Sequence, residues 1–378
     1  MKSKDSKGNG INYPIRVLCV MSTLDRGGAE SMVMSLLRNM NRELVQFDFI
    51  KHTNRIGAFE YEIESLGGKI YTAPRYRIYN HLQYVRWWKK FLIKHPEYYI
   101  LHGHFFSISS IYFSVAQRYG RITIGHSHCT EATKEQIKNP VKHYLSNLLV
   151  SKIEKHSDYC FACSIEAGKW IFKKKPFVVL NNAINTSLFC ANKEIADDVR
   201  KELLLGDALV LGNVSRFDLQ KNPYGTLEIF RLVHEKRPNS KLLWVGDGPL
   251  RVEIEKKAIE IGIFDHIVFT GVRSDVYRLL QGMDAFILPS FFEGLPVSAI
   301  EAQAAGLYCF ISDKVTKEVA ITDMCHFLTT DNMELWADEI SKLNARYEHP
   351  DTTIRIKDAG YDIRTSSKWL QNFYISLM

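Results

Sequence analysis

Short, nearly continuous apolar runs alternate along the chain with polar or glycine-rich turns and helical stretches. The first series reads IRVLCVMS, QFDFIKHT, KIYTAP, YYILHGH, RITIGHSH, YCFACS and FVVLNNAI. The second reads ALVLGNVSR, KLLWVGDG, HIVFTG, DAFILPS, LYCFISD and HFLTT. Runs this short and this uniformly apolar predict strands buried on both faces, and their alternation with helices predicts parallel sheets. Thirteen strands would be unusual in a single sheet. The pattern therefore predicts an α/β chain of two doubly wound, Rossmann-like domains. The rhythm breaks over 183–207, which sets a first domain at 13–186 and a second at 187–360. Residues 1–12, polar and lysine-rich, are expected to be a frayed tail. Residues 361–378 end in an amphipathic helical pattern. The uncharged stretch 98–116 has bilayer length, but its histidines, glycine and serines fit a buried strand, a turn and a helix better.

Composition changes this picture little. Of 378 residues, 46% are hydrophobic and 24% charged, enough for sizeable cores, and the net charge of +7 favours anionic partners. The cysteines, Cys19, Cys129, Cys160, Cys163, Cys190, Cys309 and Cys325, are odd in number and sit mostly in apolar runs, and no secretory leader is expected ahead of them. They are expected to be reduced, buried thiols of a cytoplasmic protein. Cys160 and Cys163 form a C-x-x-C with no second pair at zinc-site spacing, so core packing is the expectation.

Polar chemistry gathers where strands end, the edge at which open α/β sheets bind ligands. After the first strand, Gly27 and Gly28 open a helix whose free N–H groups and dipole could receive an anion, although a plain glycine turn explains them as well. At the start of the second series, Arg216 and Lys221 stand in SRFDLQKNP, where a fork and a point charge could neutralise a pyrophosphate, although two solvated surface cations explain them equally well. In SFFEGLPVSAIEAQAAG, Glu293 lies on a turn and Glu301 inside the following helix. Eight residues is the wrong spacing for a helix-surface pair. It suits an elongated ligand, with one carboxylate on a sugar, the other on a ribose and the helix N-terminus facing the phosphates between them.

These elements, taken together from Ile15 to the last helix, resemble the large family of retaining glycosyltransferases with the GT-B fold, two Rossmann-like domains facing across a cleft (glycosyltransferase family 4, glycosyl transferases group 1), of the bacterial capsule and exopolysaccharide type. The resemblance rests on the E-x7-E run, GGAE, SRFDLQKNP, VGDGPLR and FTGVRSDV in that family's order. It implies an acceptor-binding first domain, a nucleotide-sugar-binding second domain, and a final helix that packs back on the first. It implies donor contacts at Gly27, Gly28, Gly246, Val272 and Arg273, with pyrophosphate at Arg216 and Lys221. The transferred sugar would meet Glu293, Gly294 and Leu295, and the ribose Glu301. His126 would sit near the donor sugar, with His104 and His128 on the acceptor side. Glu293, Arg216, Lys221 and His126 form the implied catalytic set. Tyr308 stands where many relatives carry proline.

Two H-x-H pairs, His102 with His104 and His126 with His128, offer a zinc reading. The weaker demand is polar packing for His102 and substrate contact for the rest. No D-x-D occurs. The expectation is therefore no metal and no cofactor, with a UDP-sugar as co-substrate and leaving-group charge met by cations and helix dipoles. The expected partners are a nucleotide sugar and a glycan or polyprenyl-linked glycan, without nucleic acid. A helix carrying Arg86, Trp87, Trp88, Lys89, Lys90 and Lys94 could lie on an anionic membrane at the inner face of the cell membrane, although a solvated helix with one core face explains it slightly better. A dinucleotide oxidoreductase is disfavoured because G-x-G-x-x-G is absent. A sugar-nucleotide binder or an epimerase of the same fold remains the alternative.

Overall fold

The computed structural model describes residues 2–4, 10–12, 14–104, 108–128 and 149–378; Cys129 lies outside them. Two compact units divide the chain: Met1–Ala183 with Ile363–Met378, and Ile184–Asp362. The sequence reading set the breaks at 186/187 and 360/361. Where it expected a frayed tail, β1 (Lys2–Lys4) and β2 (Gly10–Asn12) pair antiparallel, Lys2 opposite Asn12.

In unit 1 the strands are β3 (Ile15–Val20), β4 (Val45–Lys51), β5 (Ile70–Thr72), β6 (Ile100–Gly103), β7 (Ile122–Ser127), β8 (Tyr159–Ala162) and β9 (Val178–Val179). They form one parallel sheet in the order β5-β4-β3-β6-β7-β8-β9. The apolar runs are nearly continuous because inner strands such as β3, β4, β6 and β8 feed two cores, whereas both residues of the edge strand β9 are exposed. Val17 and Cys19 point with Phe47, Phe49 and Ile124 to one face. Leu18 and Val20 join Ile50, Leu101 and Cys160 on the other. Helix Gly28–Asn39 and the C-terminal helix Ile363–Ser376 cover the first face, linked by Asn41 N–H to Gln371 Oε1 at 2.8 Å. Helices His81–Lys94 and Ser109–Arg118 cover the second.

Unit 2 repeats the plan. Strands β10 (Leu209–Val214), β11 (Ser240–Val245), β12 (Ile267–Gly271), β13 (Ala285–Leu288), β14 (Tyr308–Ser312) and β15 (Cys325–Leu328) form a parallel sheet in the order β12-β11-β10-β13-β14-β15. Leu209 and Leu211 face one core, and Val210 the other. At the amino edge, Asp284 is fully buried and takes hydrogen bonds from Arg200 Nη2 at 2.8 Å, Val210 N–H at 2.7 Å and Arg346 N–H at 2.7 Å.

The strand order reverses between β3 and β6 in unit 1 and between β10 and β13 in unit 2. Such switch points leave a crevice at the carboxyl ends of the strands, which is where doubly wound sheets bind ligands. The described cysteines form no disulfide, and Cys19, Cys160, Cys163 and Cys309 are buried. Tyr308 packs against the rings of Tyr347 and His326.

Candidate functional site

In unit 2 the switch point is closed by two loops, 215–222 after β10 and 289–296 after β13. Asp218 accepts from Lys221 N–H at 3.2 Å and shapes the short 3-10 turn Leu219–Lys221. Asn222 follows in the left-handed region, φ 52°, a conformation that asparagine tolerates better than most residues. Its Oδ1 caps helix Pro223–Lys236 by accepting from Gly225 N–H at 3.0 Å, and its Nδ2 donates to Pro289 O at 3.1 Å. Phe291 N–H donates to Gln220 O at 2.9 Å, so each loop holds the other.

This lacing brings Lys221 and Glu293 together, 72 positions apart in sequence, with Lys221 Nζ donating to Glu293 Oε1 at 2.5 Å. Ser290 Oγ donates to the same oxygen at 2.8 Å, and Gln220 Nε2 to Oε2 at 3.4 Å. The Glu293 side chain is 7% exposed and that of Lys221 is 21% exposed. The sequence reading placed these residues on different parts of a ligand; in this structure they answer each other. Arg216, on the same loop, is 74% exposed, and its nearest carboxylate oxygen, on Asp218, is 3.7 Å away. Gly294 has open space where a Cβ would stand, and Leu295 is half-buried.

Helix Val297–Ala304 begins one residue after Pro296 and ends before Gly306, which adopts φ 75°. Pro296 is therefore the cap rather than a member of the first turn. Glu301, the fifth helical residue, keeps part of its surface exposed, but dense packing around the carboxyl raises its pKa to about 7.

Gly246 adopts φ 140°, and a Cβ there would stand 2.0 Å from Ser215 O. A Cβ on Gly248 would stand 2.6 Å from Phe217 O. The VGDG loop thus seats the Arg216 loop by backbone approach that only glycine permits. Val272 is exposed. Arg273 is not a free cation: both arms of its guanidinium bind Asp275 at 2.8 Å, and Nη2 reaches Glu202 at 3.5 Å.

In unit 1, Gly27 caps helix Gly28–Asn39, and a Cβ on it would stand 2.3 Å from Glu30 Oε2. Thr23 Oγ1 donates to Glu30 Oε1 at 3.0 Å. A carboxylate of the chain itself therefore lies over the first of the two glycines, while Gly28 has open space.

The adjacent strands β6 and β7 deliver His102, His104, His126 and His128 into one cluster. Ring centroids are 4.3 Å apart within the first pair and 4.2 Å within the second. His102 Nε2 lies 3.2 Å from His126 Nδ1, and His104 Nδ1 lies 2.8 Å from His128 Nε2. Burial lowers all four pKa values, to about 3 for His102 and about 4 for His128, so the rings are neutral at pH 7. His104 Nε2, His126 Nε2 and His128 Nδ1 are buried without a hydrogen-bond partner among the described residues. One nitrogen each of His102, His104 and His126 lies within 4.8 Å of the others, a spacing open to a metal ion.

The sequence reading missed a cavity of about 1110 Å³ in unit 1, lined by Ser22, Thr23, His52, Arg55, Arg75 and Arg77 among others. Its lining residue His52 is held from both ring nitrogens: Nδ1 donates to Met21 O at 2.9 Å, and Tyr84 Oη sits 2.8 Å from Nε2. The three arginines come from turns after β4 and β5 that carry no recognisable motif. Gln220 and Ser290 were missed too, although both stand inside the quoted loops. The helix considered for a membrane surface, His81–Lys94, buries Trp88 fully and stacks half-buried Trp87 on Phe91 at 5.2 Å. These tryptophans anchor the core of unit 1, which removes the aromatic anchors from that idea. No helix among the described residues is long and apolar enough to cross a membrane.

Comparison with known proteins adds the following. A family model described as Glycosyltransferase Family 4 matches residues 26–188, and one described as Glycosyl transferases group 1 matches residues 195–357. EpsF of Bacillus subtilis, a glycosyltransferase by its name, is 31% identical over 372 residues, covering 95% of this chain and 96% of its own. The capsular polysaccharide biosynthesis glycosyltransferase CapH of Staphylococcus aureus is 25% identical over 376 residues, 96% of this chain and 99% of its own. Among solved structures, Anabaena Alr3699/HepE in complex with UDP matches with a TM-score of 0.77 at 14% identity, covering 96% of this chain and 100% of that one.

Proposed function

From the premise that this chain belongs to the glycosyl transferases of group 1, we propose that it moves a hexosyl group from a UDP-sugar to a hydroxyl of a glycan or polyprenyl-linked glycan in cell-surface polysaccharide biosynthesis. The observation that carries this reading is the meeting of Lys221 and Glu293 at the unit 2 switch point, beside an exposed Arg216. A diphosphate competes for Lys221 and Arg216, and Glu293, released from Lys221, accepts from a sugar hydroxyl. Both cations then oppose the negative charge that grows on the leaving UDP. Gly27, Gly28 and Gly246 give the donor close backbone approach, Gly294 and Leu295 offer N–H groups to the sugar, and Glu301 takes the ribose hydroxyls. Val272 and Arg273 flank the base, with Arg273 acting through its carboxylate partners.

Transfer proceeds with retention. The bond from the anomeric carbon to the phosphate oxygen breaks, and the acceptor oxygen bonds to that carbon on the same face. The acceptor proton passes to the departing phosphate oxygen. No side chain need act as covalent nucleophile, and no metal is required, because fixed cations and amide dipoles meet the charge. His126 contacts the donor sugar, and His104 and His128 lie on the acceptor side. The unit 1 cavity suits the acceptor, and its arginines Arg55, Arg75 and Arg77 favour one that carries negative charge, such as a diphosphate-linked glycan. The protein works in the cytoplasm. Contact with an anionic inner membrane surface falls to the exposed basic residues Arg86, Lys89, Lys90 and Lys94, and flotation with anionic vesicles tests it.

The central test is a panel of nucleotide sugars assayed for UDP release, together with calorimetry against UDP and NAD. One UDP-sugar should release UDP slowly by hydrolysis without acceptor, and faster by transfer with it. Binding of UDP without release from any donor would favour a binding protein, and tighter binding of NAD would remove the transferase reading.

A further inference from the structure

The C-terminal helix reaches the histidine cluster through one side chain. Tyr374 is fully buried, with its ring held edge-on to Phe47 at 5.9 Å. Its hydroxyl lies 2.6 Å from His102 Nδ1 and has no other hydrogen-bond partner among the described residues. We propose that Tyr374 is a positioning residue which, acting through His102, fixes His126 as a neutral hydrogen-bond donor through Nε2. The proposal rests on the reading of His126 as a contact of the donor sugar.

The direction of the chain follows from proton accounting. A buried hydroxyl hydrogen needs an acceptor, and His102 Nδ1 is the one within reach. His102 is neutral because burial lowers its pKa to about 3, so with Nδ1 accepting, its single proton sits on Nε2. That N–H donates to His126 Nδ1 at 3.2 Å. His126 is also neutral, its pKa lowered first by burial and then by the neighbouring histidines. Its proton is therefore on Nε2, the atom left buried and unpartnered among the described residues. The reverse order would make Tyr374 an acceptor and strand its own hydrogen in the core. The relay gives His126 a donor at Nε2 and no lone pair there, so it can hold an oxygen of the donor but cannot take a proton from the acceptor.

The same accounting disfavours the metal reading of His102, His104 and His126. His102 uses its Nδ1 lone pair on Tyr374, and its Nε2 carries a proton, so an intact relay leaves it nothing to coordinate with.

The test uses tag-free full-length protein with 15N-labelled histidine, in which long-range ring correlations report the protonated nitrogen of each residue. The wild-type spectrum should show His102 and His126 both protonated at Nε2. Tyr374→Phe, which keeps the ring and removes the hydroxyl, should move proton population to Nδ1 in both. It should also lower kcat/KM for the nucleotide sugar by about tenfold, mostly through KM. A proton on Nδ1 of His126 in the wild type overturns the relay, and so does an unchanged tautomer in Tyr374→Phe. One equivalent of zinc per chain by elemental analysis overturns it in favour of the metal site. The wild-type spectrum decides even if the variant fails to fold. Separately, full transfer activity in His126→Ala would overturn the reading of His126 on the donor, an outcome that tautomer measurements cannot imitate.

Discussion

At the carboxyl end of the unit 2 sheet, Lys221 and Glu293 keep full charges and satisfy them on each other; at the carboxyl end of the unit 1 sheet, four histidines keep none. Both places lie at or beside a switch point of the same kind of parallel sheet. The difference follows from which part of the chain supplies the groups. Lys221 and Glu293 stand on loops, where water reaches the lysine and a charge remains affordable until a phosphate arrives. The histidines stand on the last residues of strands β6 and β7 or directly after them, inside packing where a cation would be desolvated. A loop edge can present charge to a ligand, whereas a buried strand end presents neutral donors and acceptors unless, as at Lys51 with Glu60, a counter-charge is packed against it.

Acid should break this comparison most strongly. A histidine free in the unfolded chain titrates near 6.5, while His102 and His128 in the fold titrate at about 3 and about 4. The fold therefore binds fewer protons than the unfolded chain over that interval. The stabilisation is complete above pH 6.5 and is lost as pH falls through 6.5 toward 4 and 3. At pH 5 each such group forfeits about 2 kcal/mol, so these two alone cost on the order of 4 kcal/mol, and His104 and His126 shift in the same direction. Hydrogen exchange resolved by segment should show unit 1 loosening more than unit 2 between pH 7 and pH 5. Equal loosening of both units would show that the cluster is not held neutral by burial.

Removing the charge on the other side should cost nearly as much in rate and little in stability. Lys221→Ala should lower turnover by about 10²–10³-fold, the range seen when one stabiliser of developing negative charge is deleted. Its thermal unfolding should change little, since the Lys221 side chain is partly solvated and Ser290 and Gln220 still bind Glu293. Turnover near that of the wild type, measured as UDP release with saturating donor, would remove Lys221 from the reaction.

Much of this was legible in the sequence, for identifiable reasons. All thirteen strands of the two parallel sheets coincide with the apolar runs, β4, β11 and β15 each starting one residue ahead of its run, because burial on both faces leaves polar residues few places in them. The loops that carry Arg216, Lys221 and Glu293 were legible because glycine, proline and asparagine mark their turns. Pairing was not. That Lys221 would meet Glu293 depends on β10 and β13 being neighbours, a fact of sheet order that local pattern does not contain. The same holds for Tyr374 and His102, which lie 272 positions apart. The antiparallel pair β1 and β2 was hidden because its residues are polar and lysine-rich. At Trp87 and Trp88 the favoured of two readings, a helix with one core face, is the one the structure shows, because one face of a basic helix can serve a core as readily as a membrane.

A more moderate effect concerns Glu301, a carboxyl that titrates at about 7 in the fold. Raised in this way, it is largely protonated at pH 6 and largely ionised at pH 8. Ribose hydroxyls donate to the ionised form, so UDP affinity should rise with pH through 7, by roughly tenfold between pH 6 and pH 8. Calorimetry on Glu301→Gln should show a flatter dependence, leaving only the slope contributed by ionisation of UDP itself. An identical slope in variant and wild type would place Glu301 away from the ribose.

The smallest effect is expected at Arg273, which tests whether every cation near the unit 2 site is there for the ligand. Its guanidinium already holds Asp275 with two arms, and Arg278 binds both Asp275 at 3.0 Å and Glu202 at 3.1 Å. After Arg273→Ala these carboxylates keep a partner, so neither is left with an uncompensated charge. Partly exposed ion pairs of this kind contribute about 0–1 kcal/mol. The variant should therefore lose less than about threefold in UDP affinity, and its unfolding temperature should hardly move. A loss above tenfold would mean that Arg273 leaves Asp275 when nucleotide binds. It would then belong with Lys221 as a cation whose partner in the empty protein stands in for a ligand.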